Sequence, residues 1–297
     1  MKKKLSIIFA FMVLTMCTAF AFHAYAEEVT DVSEETPAAP IVITNENTVF
    51  TLNADSFTYN ASEIKPIPTV TYTDENGAKI LLNKDVDYDV AYSNNINVGT
   101  ATAKIEFKDK YTGTLSKKFT IKPISITGKT FSVSLGYTST AYTGKELKPA
   151  VKVSWNNNGK AIQLINNTDY TVQYSANKNI GKATVTISGK KNFNGTIKKT
   201  FNIIPQKVTG VKCKAKTTNS ITLGWNKITN ISGYQILMYD KAKKAYVQVK
   251  RVPANQTSLN VTKLNTSEAY CFRIRAYKVL SDGKTNYYGA YHGYTTT

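Results

Sequence analysis

The stretch Asp169–Ile203, DYTVQYSANKNIGKATVTISGKKNFNGTIKKTFNI, repeats the pattern of Asp87–Ile121, DYDVAYSNNINVGTATAKIEFKDKYTGTLSKKFTI, at a distance of 82 residues. Tyr174, Asn177, Gly181, Phe193, Gly195 and Phe201 in the later copy answer Tyr92, Asn95, Gly99, Tyr111, Gly113 and Phe119 in the earlier one. Between these positions apolar and polar residues alternate, and Asn/Gly pairs break the alternation. That is the signature of antiparallel strands with one buried face. A self-similar pair of this length is a duplicated β-domain.

Upstream of each copy the correspondence continues. Tyr59-Asn60-Ala61 followed by Glu63-Ile64-Lys65-Pro66 matches Tyr142-Thr143-Gly144 followed by Glu146-Leu147-Lys148-Pro149. A short alternating strand starts past each proline, with Val70 and Tyr72 in one copy and Val151, Val153 and Trp155 in the other. Proline at a strand start is compatible with its missing N–H only away from a central ladder. Gly77 and Gly159 mark the next hairpins, after which LLNKDVDYDV and QLINNTDYTV each carry an Asp-Tyr into a strand. Six or seven strands with no helical period call for two facing sheets. The shared motifs resemble the bacterial immunoglobulin-like repeats found in tandem on secreted and surface proteins of Gram-positive anaerobes. The resemblance covers residues 41–124 and 125–206 and implies a spacer or adhesion module without catalytic residues. Where the second copy has Thr143-Gly144 the first has Asn60-Ala61, which predicts a less tight hairpin there.

From Lys207 the pattern changes. Ile221, Leu223 and Trp225 share one face of a strand, and Tyr270, Phe272, Ile274 and Ala276 share one face of another. Leu264 precedes Tyr270 by six residues, Gly233-Tyr234 opens a further strand, and Tyr287, Tyr288, Gly289 and Tyr291 lead into the last. These features resemble the fibronectin type III domain, with Tyr270 at its tyrosine corner and Trp225 as its core tryptophan. The resemblance spans 207–297, where no Arg-Gly-Asp tripeptide occurs. The expected fold class is all-β, three tandem immunoglobulin-like and fibronectin-like β-sandwiches.

At the N-terminus Lys2, Lys3 and Lys4 precede an apolar run that ends at Ala24-Tyr25-Ala26. This order reads as a signal peptide over 1–26, with a retained anchor or lipidation at Cys17 as alternatives. Residues 27–40, EEVTDVSEETPAAP, read as an acidic linker. The expected location is secreted or cell-surface associated, with no membrane span after cleavage. The whole chain carries a net +18, and +15 remains without the leader. That charge is uneven: about −1 over 41–124, +9 over 125–206 and +12 over 207–297. A basic gradient of this kind attracts anionic cell-wall polymers, acidic glycans or an acidic host surface protein. Only Arg251, Arg273 and Arg275 among the bases are arginines, so specific nucleic-acid reading is not expected.

Candidate chemistry is sparse. Cys213 and Cys271 are a candidate disulfide, but alternation puts Cys271 on the outer face, which favours two separate thiols. His292, the one histidine past the leader, reads as a surface strand residue and lacks partners for a zinc site. Asp85, Asp87 and Asp89 alternate with Val86 and Tyr88, a candidate calcium face that the second copy does not keep. Tyr287, Tyr288, Tyr291 and Tyr294 form a candidate stacking strip for a ligand such as a glycan. No catalytic, cofactor or metal residues are assigned. The function expected is a non-enzymatic adhesion or surface module, with a pure spacer or a hydrolase with a site at a domain junction as alternatives.

Overall fold

The computed structural model describes residues 38–265 and 267–296, so the expected signal peptide, 1–26, and residues 27–37 of the linker lie outside the described residues. The described residues form strands and turns and contain no helix.

The first sandwich contains β1 (Ile41–Val42), β2 (Thr48–Leu52), β3 (Ser56–Thr58), β4 (Pro68–Thr73), β5 (Lys79–Leu82), β6 (Tyr88–Ser93), β7 (Gly99–Phe107), β8 (Tyr111–Thr112) and β9 (Thr114–Lys122). A β2-β4-β5 sheet packs on a β3-β9-β7-β6 sheet, and β1 pairs β8. The second sandwich repeats this plan with β10 (Ile124–Ser125), β11 (Phe131–Leu135), β12 (Ser139–Ala141), β13 (Val151–Asn157), β14 (Lys160–Gln163), β15 (Tyr170–Ser175), β16 (Gly181–Gly189), β17 (Phe193–Asn194) and β18 (Thr196–Ile204). Its sheets are β11-β13-β14 and β12-β18-β16-β15, and β10 pairs β17. In both copies alternation decides the core. Ala101, Ala103 and Ile105 point inward from β7, and Ala183, Val185 and Ile187 do so from β16. Each buried isoleucine of this kind contributes about 1.5–3 kcal/mol.

The recurring Asn and Tyr solve a hydrogen-bonding problem set by the prolines. The segment through Pro66 or Pro149 lies outside any ladder, so its carbonyls need other donors. Asn95 Nδ2 donates to the Ile64 carbonyl at 3.1 Å, and Asn177 Nδ2 to the Leu147 carbonyl at 3.1 Å. Tyr92 donates to the Pro66 carbonyl at 2.5 Å, and Tyr174 to that of Pro149 at 2.7 Å. Both asparagines are buried. The hairpin expected to be looser in the first copy has the same left-handed turn as the second, with φ of +61° at Ala61 and +78° at Gly144. Alanine accepts a strain of about 1 kcal/mol there that glycine avoids.

The first two sandwiches meet through side chains at their ends. Tyr59 packs on Trp155 and Phe193 with ring centroids 6.0 and 5.6 Å away. Asn192 accepts from the Val98 amide at 2.9 Å and donates to Asn97 Oδ1 at 2.9 Å, while Asn157 donates to the Asn60 carbonyl at 2.8 Å. At the next junction Gln206 donates to the carbonyl of Tyr142, the counterpart of Tyr59, at 2.9 Å.

The third sandwich contains β19 (Lys212–Lys216), β20 (Ser220–Gly224), β21 (Gly233–Asp240), β22 (Ala245–Pro253), β23 (Ser258–Thr262), β24 (Cys271–Val279), β25 (Asn286–Tyr288) and β26 (His292–Thr295). One sheet is β19-β20-β23; the other is β22-β21-β24, with β25 and β26 both pairing β24. Ile221 and Leu223 of the first sheet join Tyr234, Ile236, Phe272, Ile274 and Ala276 of the second in the core. Trp225, just past β20, packs on Tyr234 at 5.3 Å, and the Tyr270 hydroxyl accepts from the Asn265 amide at 2.9 Å.

Replacing Asn177 with Ala leaves the Leu147 carbonyl without its side-chain donor. Urea unfolding is expected to show a loss of about 1–3 kcal/mol; an unchanged midpoint would remove the asparagine from the fold's hydrogen-bond scheme. Burial pushes the phenols of Tyr88, Tyr92, Tyr170 and Tyr174 above the usual value near 10. The unfolded chain therefore ionises first, and the contribution of these groups, complete below about pH 10, is lost as pH rises further. Thermal melts between about pH 9 and pH 11 should fall on the alkaline side, and Tyr170→Phe should flatten that fall.

Candidate functional site

Strand β24 buries Phe272, Ile274 and Ala276, so Cys271, Arg273, Arg275 and Tyr277 share its outer face. Across the ladder Arg275 pairs with Gln235, and Gln235 pairs in turn with Arg251. The register shifts between Ile236 and Leu237, where Val249 is the extra residue of β22. This bulge brings Tyr246, opposite Tyr239, onto the same outer face as Arg251, although the two are five residues apart. On the other side of β24, Tyr288 pairs with Tyr277.

The result is an arginine–tyrosine array. The Arg251 guanidinium carbon lies 4.9 Å from the Tyr277 ring centroid and 5.7 Å from that of Tyr288. Arg275 lies 3.8 Å from Tyr288 and 4.4 Å from Tyr291; Arg273 lies 3.9 Å from Tyr246 and 6.0 Å from Tyr291. Tyr288 is therefore shared by Arg251 and Arg275, and Tyr291 by Arg273 and Arg275. Two further bonds fix the forks: Arg251 donates to the Tyr288 hydroxyl at 2.6 Å, and Arg275 Nε to Gln235 Oε1 at 2.6 Å. Gln235, 8% exposed, is held in turn by donation to Gln248 at 2.7 Å.

The ion pairs among the described residues all use lysine, and none reaches these arginines. Two unit charges about 10 Å apart in water repel by about 0.4 kcal/mol before salt screening. Each close guanidinium–ring contact returns about 0.5–1 kcal/mol. Stacking therefore wins, and the face keeps three cations together with no ion pair to a carboxylate among the described residues. Chemically, the ring-clamped guanidinium planes present N–H edges of a kind suited to oxyanions.

The four tyrosines expected to form a strip do not share a surface. Tyr288 and Tyr291 belong to the array. Tyr287 and Tyr294 pack against the core cluster, and the Tyr294 hydroxyl accepts from the Cys213 amide at 3.0 Å. His292, read as a surface residue, is half-buried in register with Ile274. Cys213 and Cys271 are free thiols on opposite sheets. The three aspartates diverge. Asp87 accepts from the Asn83 amide at 2.7 Å, as Asp169 does from Ile165 at 2.8 Å, while Asp85 pairs with Lys84 at 2.6 Å and Asp89 with Lys108 at 3.0 Å. Asp87 is thus a turn cap repeated in both copies. Sequence reading passed over Arg251, Arg273 and Arg275 as a site; the alternation of β24 already placed the latter two side by side, whereas Arg251 joins only through the bulged register.

This architecture defines an all-β protein of tandem sandwiches whose last member bears the array. Residues 206–287 match the fibronectin type III domain family, which identifies the third sandwich as such a domain. No curated protein matches the chain. Similar solved structures include a two-domain fibronectin type III segment of chicken tenascin, with 11% identity over 70% of this chain and 97% of that one and a TM-score of 0.33. A fibronectin type III domain of human collagen XX has 17% identity over 31% of this chain and 91% of that one, with a TM-score of 0.23. The Clostridium perfringens spore cortex lytic enzyme SleM has 18% identity over 32% of this chain and 28% of its own, with a TM-score of 0.25.

With both cysteines free, peptide mapping under non-reducing conditions should recover Cys213 and Cys271 in separate alkylated peptides. The double Ser variant is expected to melt within about 1 kcal/mol of the parent; a linked peptide, or a loss of several kcal/mol, would establish a bridge instead.

Proposed function

We propose that this is a secreted, non-enzymatic modular protein that associates with anionic cell-wall polymers or glycans through its third domain. The observation that carries the reading is the concentration of charge: +12 over residues 207–297, including three arginines gathered on one sheet face without acidic partners. The two preceding sandwiches, which we read as bacterial immunoglobulin-like repeats, act as the reach that sets this face away from its point of origin. The side-chain interlocks at the first junction support that role, because they tie one repeat to the next by three hydrogen bonds and two aromatic contacts.

Retention of the protein on purified, peptide-free anionic wall polymer should be strong in about 0.05 M salt and largely gone by about 0.5 M, as the Debye length shrinks well below the spacing of the charges. Removal of the third domain should take away most of it, leaving the weaker, diffuse attraction of the +9 second sandwich. Failure to bind at low salt would reject this reading.

A further inference from the structure

We infer that the Arg251/Arg273/Arg275 face is a receptor for a phosphodiester-linked polyol polymer, with the tyrosines serving to hold the guanidinium groups and not to stack on sugars. This rests on the reading of the third domain as a polyanion-binding module and names its site and ligand chemistry.

Three observations lead to it. Tyr246, Tyr288 and Tyr291 each have a guanidinium over the ring within 4.4 Å, so the ring faces a sugar would use are already engaged. The guanidinium edges are the donors left to a ligand, since the bonds found for these side chains engage one nitrogen of Arg251 and Nε of Arg275. Such edges suit a tetrahedral oxyanion approached in plane.

The third observation is spacing. Arg273 and Arg275 share Tyr291, at 6.0 and 4.4 Å from its centroid, and Arg251 and Arg275 share Tyr288, at 5.7 and 3.8 Å, so the guanidinium groups of each pair lie at most about 10 Å apart. Successive phosphorus atoms of a polymer with a three-carbon polyol between phosphates are six bonds apart. At the rise of an extended chain, roughly 1.2 Å per bond, this comes to about 7 Å, within that limit. Such a flexible chain can lay adjacent phosphates on Arg273 and Arg275 and turn a later one toward Arg251. A carboxylated polysaccharide fixes its charges on rigid rings, and single-stranded DNA, which shares the three-carbon spacing, finds no free ring faces for its bases to stack on.

The test compares affinity of the full chain for synthetic poly(glycerol phosphate), polygalacturonate and a single-stranded DNA of matched charge. The Arg251→Lys, Arg273→Lys, Arg275→Lys variant keeps every charge but loses the planar forks, and is expected to bind poly(glycerol phosphate) about tenfold more weakly. A control, Lys182→Gln, Lys198→Gln, Lys199→Gln, removes three exposed charges from the second sandwich and should lose less than about threefold. Tyr291→Leu, which releases the clamp on Arg273 and Arg275 at constant charge, should weaken binding by about threefold. Circular-dichroism melts accompany each variant, so that a folding defect is read separately. Lysine variants that bind within about twofold of the parent would overturn the site, as would equal affinity for polygalacturonate or for the DNA. Either result leaves the broader polyanion reading standing, whereas no binding of the parent to any of the three polymers would sink both.

Discussion

The phase of one strand governs the third domain. Burying Phe272, Ile274 and Ala276 obliges Arg273 and Arg275 to share the opposite face, because successive side chains of a strand alternate. A slip of one residue would turn both guanidinium groups into the core, at a cost of several kcal/mol for each unpaired charge. It would also expose three apolar side chains. The core therefore specifies the register, and the register specifies which cations stand together. The array is a by-product of burial on the opposite face, with Gln235, Tyr288 and Tyr291 setting how the guanidinium planes lie.

The sandwiches were legible because their signals are local. Period-2 alternation, the Asn/Gly turns and the paired prolines all act within a few residues, and each recurs 82 or 83 positions later. The tyrosine corner and the buried Trp225 followed from the same kind of spacing. What the sequence hid were features that depend on a break in alternation. Tyr287, Tyr288, Tyr291 and Tyr294 look like one strip because they are close in sequence, but the chain leaves β25 after Tyr288 and re-enters as β26 at His292. Between them Gly289 approaches the backbone so closely that a Cβ there would sit 2.7 Å from the Pro205 carbonyl oxygen. That detour leaves Tyr291 outside while Tyr294 faces in. Arg251 was hidden by the bulge at Val249: strict alternation puts residues 246 and 251 on opposite faces, and the extra residue brings them together.

The duplicated positions divide cleanly into two kinds. Asn95 and Asn177, Tyr92 and Tyr174, and Asp87 and Asp169 make the same bonds in both copies, each satisfying backbone groups that the ladders leave over. Their recurrence is a demand of the fold. The copies differ where they meet neighbours. Asn192 of the second copy reaches back to Asn97 and Val98, whereas its counterpart in the first, Lys110, lies over its own Tyr111 ring at 5.0 Å.

The same split explains why charge can change so sharply along the chain without disturbing the fold. Strand faces turned outward tolerate lysine, and lysine on exposed strands also opposes edge-to-edge association. The second sandwich holds eleven lysines with two acids on a plan almost identical to that of the first, which is near neutral. Its lysines are spread over exposed positions, an arrangement suited to diffuse attraction. The third domain has what the second lacks, guanidinium groups immobilised by rings. Long-range attraction scales with summed charge, but discrimination between one oxyanion and another requires donors already in place before the ligand arrives. Among the described residues the arginine–tyrosine face is the one where such donors are held in place by rings.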